Sequence, residues 1–165
     1  MAKGENQVNP WEELKGKKEE LKSEVEVKMG DTKVNIPITF VDVDRVQEIN
    51  EEYDEKMPEK PVVPIETSRG KMNMKLPTDD ERYQQFNNHP KAEEWRKKAK
   101  PIQKQRDARL AYEFIEEDSK PSNDPEEGVE IIMDRLRRMD IVDIINEGFE
   151  LNGMRERLDE AEKNS

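Results

Sequence analysis

Apolar and charged residues alternate over Val25, Val27 and Met29, and again over Val34, Ile36, Ile38 and Phe40, with Gly30-Asp31 between the two runs. A period of two around a glycine turn predicts a β-hairpin with one apolar face. Pro37 lacks the amide hydrogen that a ladder needs, which places the second strand at an edge or on a bulge. The period then lengthens. Val46, Ile49, Tyr53 and Met57 share one helical face, Asp44 and Gln47 make a capping pair at its start, and Pro58 and Pro61 end it. That helix is expected to cover the hairpin. Two further extended runs, 62–67 and 71–76, flank Arg69-Gly70 and predict a second hairpin.

Thr78-Asp79-Asp80-Glu81 reads as a capping box opening a short helix through Tyr83 and Phe86, which Asn87-Asn88-His89-Pro90 breaks. A charged helix follows from Lys91. Ala92, Trp95, Ala99 and Ile102 lie along one seam of it, Pro101 is expected to kink or interrupt it, and Leu110, Ala111, Phe114 and Ile115 form a denser stripe. Residues 119–124 are a loop. The most apolar stretch runs from Asp124 to Gly153. Asp124 is a cap, Pro125 suits the first helical position, and Glu127 closes a capping box. Val129, Ile132, Met133, Leu136 and Met139 follow at helical spacing. Asp140 can cap afresh, Ile141, Ile144, Ile145 and Phe149 continue the stripe, and Asn152-Gly153 predicts a left-handed stop.

This order gives an α+β, mostly helical chain, with a small antiparallel β-hairpin sheet followed by a C-terminal helical bundle. It divides into a flexible or helical N-terminal tail (1–23) that carries Trp11, an α+β domain (24–118), a helical segment packed on it (119–153) and a flexible tail (154–165).

Composition narrows the function. Apolar residues are 32% and charged residues 42%, so the core is small or is completed by a partner. A net charge of −11 disfavours general affinity for nucleic acid or anionic membranes. No cysteine is present, which excludes disulfides and thiolate metal sites. No apolar run approaches membrane-spanning length, and a location inside the cell is expected.

No catalytic constellation emerges. His89 is the single histidine and sits before a proline with no nucleophile elbow nearby. Asp42 and Asp44, and the cluster Asp79, Asp80 and Glu81, stand where helices begin, where carboxylates satisfy free amides. Neither metal nor cofactor is expected. The basic run Lys91, Arg96, Lys97, Lys98, Lys100, Lys104, Arg106 and Arg109, with Trp95 inside it, would serve a nucleic-acid binder through phosphate contacts and stacking. A solvated helix facing acidic segments explains it as well. The expected contact residues are Ile141, Ile144, Ile145 and Phe149, with Trp11 and Trp95 as outlying anchors. Self-association is open.

The polar tail, the strand 34–40 leading into an acidic helix at Asp44, and the closing Asp124-Pro-Glu-Glu-Gly followed by an Ile-rich helix and Asn152-Gly153 resemble the tail assembly chaperones of long-tailed bacteriophages of Gram-positive hosts. The resemblance spans residues 24–153. It implies a non-enzymatic protein of the host cytoplasm that holds the tape measure protein soluble, recruits tail tube subunits and is absent from the finished virion. A virion structural protein of the tail or connector is the alternative, and a nucleic-acid-related protein using residues 91–109 is the second. The resemblance also implies a short and a frameshifted long form. Glu162-Lys163-Asn164 can be encoded GAA-AAA-AAC, which contains the slippery heptamer A-AAA-AAC. Sequencing the gene checks this: an AAG codon at Lys163 removes the slip site.

Overall fold

In a computed structural model, described for residues 9, 10, 12, 21–75 and 80–163, both alternating runs are antiparallel hairpins. The elements are β1 (Ser23–Met29), β2 (Thr32–Ile38), α1 (Val43–Lys56), β3 (Val63–Thr67), β4 (Gly70–Met74), α2 (Asp80–Asn88), α3 (Pro90–Phe114), a 3-10 turn (Glu117–Ser119), α4 (Pro125–Arg135) and α5 (Arg138–Lys163). The fold is mostly helical α+β. Two compact units divide it, one of Met1–Ile49 with Asp107–Ser165, the other of Asn50–Arg106. The boundary falls inside α1 and α3, not at 118/119.

In the first unit, β1 pairs with β2 so that Val25 faces Ile36 and Val27 faces Val34. Gly30 has φ +63° and no other described residue near the turn has a positive φ. That is the type II′ pattern, whose twist matches paired strands. The expected cover for this hairpin was α1. The helix packed closest on β1 and β2 is α5, from the far end of the sequence, while α1 contributes Val46 and Ile49 to the buried side chains of the same unit. Val27, Ile38, Ile49, Phe114 and Ile144 are fully buried in this unit.

Four cap assignments shift. Asp42, not Asp44, caps α1: its Oδ1 accepts from the Asp44 N–H at 3.1 Å. Asp124 does cap α4, accepting from the Glu126 N–H. Glu127, however, does not return to Asp124; it accepts from the Ser122 hydroxyl, which also receives the Asp124 N–H. Asp140 lies inside the first turn of α5 and reaches back to the Arg137 N–H at 3.0 Å. The stop at Asn152-Gly153 is absent, because α5 continues to Lys163 with no positive φ at Gly153. Asn152 is buried, and its side-chain oxygen accepts the Val41 N–H at 3.2 Å, a tertiary role in place of a cap.

Close approach explains two helical glycines. A Cβ on Gly148 would sit 2.3 Å from the Phe114 ring, and one on Gly128 would sit 2.4 Å from the Tyr112 ring. Phe149 adds an edge-to-face contact on Phe114, with centroids 5.6 Å apart.

The second unit holds β3, β4 and α2 around Val63, Ile65, Phe86 and Ala92. Gln85 of α2 accepts from the Glu66 N–H and donates to the Glu66 carbonyl, so its amide occupies the edge of β3 as a strand would. Pro101 does not interrupt α3. Pro101 and Lys97, whose carbonyl loses its helical donor, are both exposed, so the vacant bond faces solvent.

Gly148→Ala should destabilise the protein by about 1–3 kcal/mol through overpacking. Gly153→Ala, whose Cβ would meet only the flexible Arg157 guanidinium at 4.0 Å, should be neutral or stabilising by about 0.5–1 kcal/mol. Urea unfolding of the two variants checks this; a strongly destabilised Gly153→Ala would restore the left-handed stop.

Candidate partner-binding groove

β2 lies between two neighbours only at its C-terminal end. On one side it pairs with β1. On the other, the chain leaving α3 runs antiparallel to it: the Thr39 N–H donates to the Phe114 carbonyl at 2.8 Å, and the Glu116 N–H donates to the Pro37 carbonyl at 3.0 Å. Ile38 and Ile115 form the bridge between them. In an extended residue the N–H and C=O point the same way. The Pro37 nitrogen therefore also faces away from β1, and the ladder to β1 loses no hydrogen bond to the proline.

By the same alternation, the backbone groups of Lys33 and Asn35 point away from β1. Beyond Glu116 the chain turns off into the 3-10 turn, and among the described residues those outward groups have no backbone partner.

A groove of about 290 Å³ opens along this edge. Val34 and Ile36 line it from one face of β2, and Asn35 and Pro37 from the other. The groove therefore follows the rim of the strand instead of lying over one face. Ile115, Ile131, Ile132, Arg135 and Leu136 line it as well. Val34 is 38% exposed and Met29, at the hairpin tip, 40%, so the apolar face of the hairpin stays uncovered where the groove begins.

Leu136 enters this lining because α4 stops there. Leu136 is extended, with φ −99° and ψ 144°, and the break is fixed by the start of α5. Asp140 accepts the Arg137 backbone N–H and two guanidinium hydrogen bonds, at 3.2 and 3.1 Å. Those side-chain bonds, against the opposing effect of burial, hold the Asp140 carboxyl below the usual carboxylate range.

The side chains expected to contact a partner are placed differently. Ile141, Ile144 and Ile145 are buried in the first unit and present no surface as folded. Phe149 is 45% exposed beside its contact with Phe114. Trp95 is half-buried in the second unit and donates its indole N–H to the Pro58 carbonyl at 2.9 Å, a bond internal to that unit. Trp11 lies outside the described residues. Met139 and Val142 are the exposed apolar residues of early α5.

The basic run is partly neutralised locally. Lys97 and Lys98 pair with Glu93 and Glu94 one turn back, Arg109 pairs with Glu113 at 2.9 Å, and Arg96 bonds both the side chain and the carbonyl of Asn87. His89 caps α3, its Nδ1 accepting the Lys91 N–H. Asp42 is engaged as the α1 cap, Asp79 lies outside the described residues, and no helix among the described residues is long and apolar enough to cross a membrane. Comparison with protein-family models, with curated proteins and with solved structures finds no match.

Because the folded carboxyl of Asp140 is depressed, its contribution is complete above the free carboxylate range and is lost as pH falls through the folded value. Asp140→Asn should cost about 1–3 kcal/mol at neutral pH and lose that part of the acid dependence. Urea unfolding of both proteins between neutral and acidic pH checks the slope.

Proposed function

We propose that this chain is a non-enzymatic binding protein that acts as a phage tail assembly chaperone, holding apolar segments of the tape measure protein until tail tube subunits gather around it. The groove beside β2 carries this reading. It is open, lined by aliphatic side chains, and set in a chain of net charge −11. A long client that must stay unassembled exposes apolar surface, and a soluble acidic protein with an accessible apolar cleft shields it. Tape measure and tail tube proteins enter through the sequence resemblance. The same reading places the chain in the host cytoplasm and leaves it out of the mature virion.

The basic helix supports the nucleic-acid alternative less well, since Lys97, Lys98 and Arg109 already pair with carboxylates of their own chain and Arg96 with Asn87.

Co-expression with the tape measure protein of the same gene cluster should raise the soluble fraction of that protein severalfold and yield a co-purifying complex. Mass spectrometry of purified particles should lack this chain. Its presence there at the copy number of a tail component would replace the chaperone reading with a structural one.

A further inference from the structure

The geometry points to a mode of capture: the groove takes one extended, apolar segment of a partner protein as an added strand on the outer edge of β2, with an acidic side chain of that segment meeting Arg135. This rests on the binding-protein reading above and specifies how the client is held.

Three observations converge. The first is the edge itself. The outward N–H and C=O groups of Lys33 and Asn35 follow in register from those of Pro37 and Thr39, which the chain's own segment 114–116 already engages. Pairing on this edge is thus an interaction the fold uses, left off after the last two residues of the strand. The second is the shape. Four consecutive residues of β2, Val34 to Pro37, line the groove although their side chains alternate between the two faces, which happens when space lies beside a strand. An added strand directs alternate side chains to opposite faces. One set would meet Val34, Ile36, Ile131 and Leu136, and the other would pass outward by Asn35 and Pro37.

The third is charge. Arg135 lines the groove and makes no ion pair among the described residues, while the neighbouring Lys120 is held by Glu117 and by the Tyr112 ring. Lys28 and Lys33 stand on the polar face of the same hairpin, Lys33 paired with Glu26 at 3.4 Å. In a chain with 40 acidic residues against 29 basic ones, a groove-lining guanidinium with no ion pair among the described residues favours a carboxylate on the incoming segment. Backbone hydrogen bonds supply sequence-tolerant affinity and the aliphatic wall selects apolar alternation. This combination suits a client with several related segments.

The test uses the full chain, isotopically labelled for amide NMR, and a synthetic peptide of about six residues, the usual strand length, alternating valine and threonine with one glutamate. Binding should shift resonances of Lys33–Ile36, Ile115 and Ile131–Leu136 and slow hydrogen exchange at Lys33 and Asn35 at least tenfold. Methylating alternate peptide nitrogens should abolish binding. Asn35→Pro removes one outward donor while leaving the ladder to β1 intact, so it should lower affinity about tenfold with little change in melting temperature. Arg135→Glu should weaken the glutamate peptide about fivefold and strengthen the lysine version of it. Absence of binding, indifference to nitrogen methylation, or shifts confined to Met139, Val142 and Phe149 would overturn the assignment. So would concentration-dependent protection of Lys33 and Asn35 in the free chain, since a second copy would then be the occupant. If the Asn35→Pro chain fails to fold, the methylated peptide decides.

The tape measure complex separates the two levels. A complex that forms but is unaffected by Asn35→Pro and Arg135→Glu refutes the strand addition and keeps the chaperone. Peptide capture on the edge without a tape measure complex does the reverse.

Discussion

A phenyl ring against a bare stretch of backbone sets the geometry of the first unit. Phe114 is fully buried, its ring fills the space that a Cβ on Gly148 would take, and its carbonyl receives the Thr39 N–H. One residue thus fixes the end of α3 to the hairpin and to α5 together. Dense interiors tolerate neither a lost nor an added methyl group well, so the close approach of α5 depends on the missing side chain. Position follows for the neighbours: Ile115 is delivered to the bridge with Ile38, and the chain leaves the edge of β2 at Glu116.

The two hairpins treat their outer edges in different ways. An exposed strand edge invites pairing with any extended chain, and proteins usually cover it. On β3 the amide of Gln85 engages both backbone groups of Glu66. On β2 the covering segment stops after Glu116, and a groove lies beside what remains. Arg45 and Arg109 both bond Glu113 at the end of α3, close in sequence to the segment that does cover the edge. Among the described residues, the edge of β2 is thus paired at one end and without a backbone partner along the rest, beside aliphatic side chains.

Both hairpins were legible because a period of two with glycine at the turn admits few other readings. The proline in β2 was legible as an edge signal, and the structure gives the reason: its missing donor lies on the outer side. Asn152-Gly153 misled because a local stop signal was outweighed by the buried hydrogen bond from Val41 to Asn152, which no pattern announces. Ile141, Ile144 and Ile145 were visible as a stripe, but a stripe does not say whether its cover is the chain itself or another molecule. The groove was illegible for a related reason. Ile36, Ile115, Ile131 and Leu136 come from separate segments, and each alone resembles ordinary core. Trp95 drew attention by its type, while its indole hydrogen bond to Pro58 belongs to a contact distant in sequence.

The first unit is assembled from both ends of the chain, with the second unit encoded between them. Val41 and Asn152, which it joins by a hydrogen bond, are 111 positions apart. During synthesis, the hairpin therefore leaves the ribosome long before α5, the helix that packs on it, has been translated. Residues 50–106 are contiguous and can collapse meanwhile, whereas the nascent hairpin waits with its aliphatic side bare. Translation order thus makes the last helix the step that closes the fold.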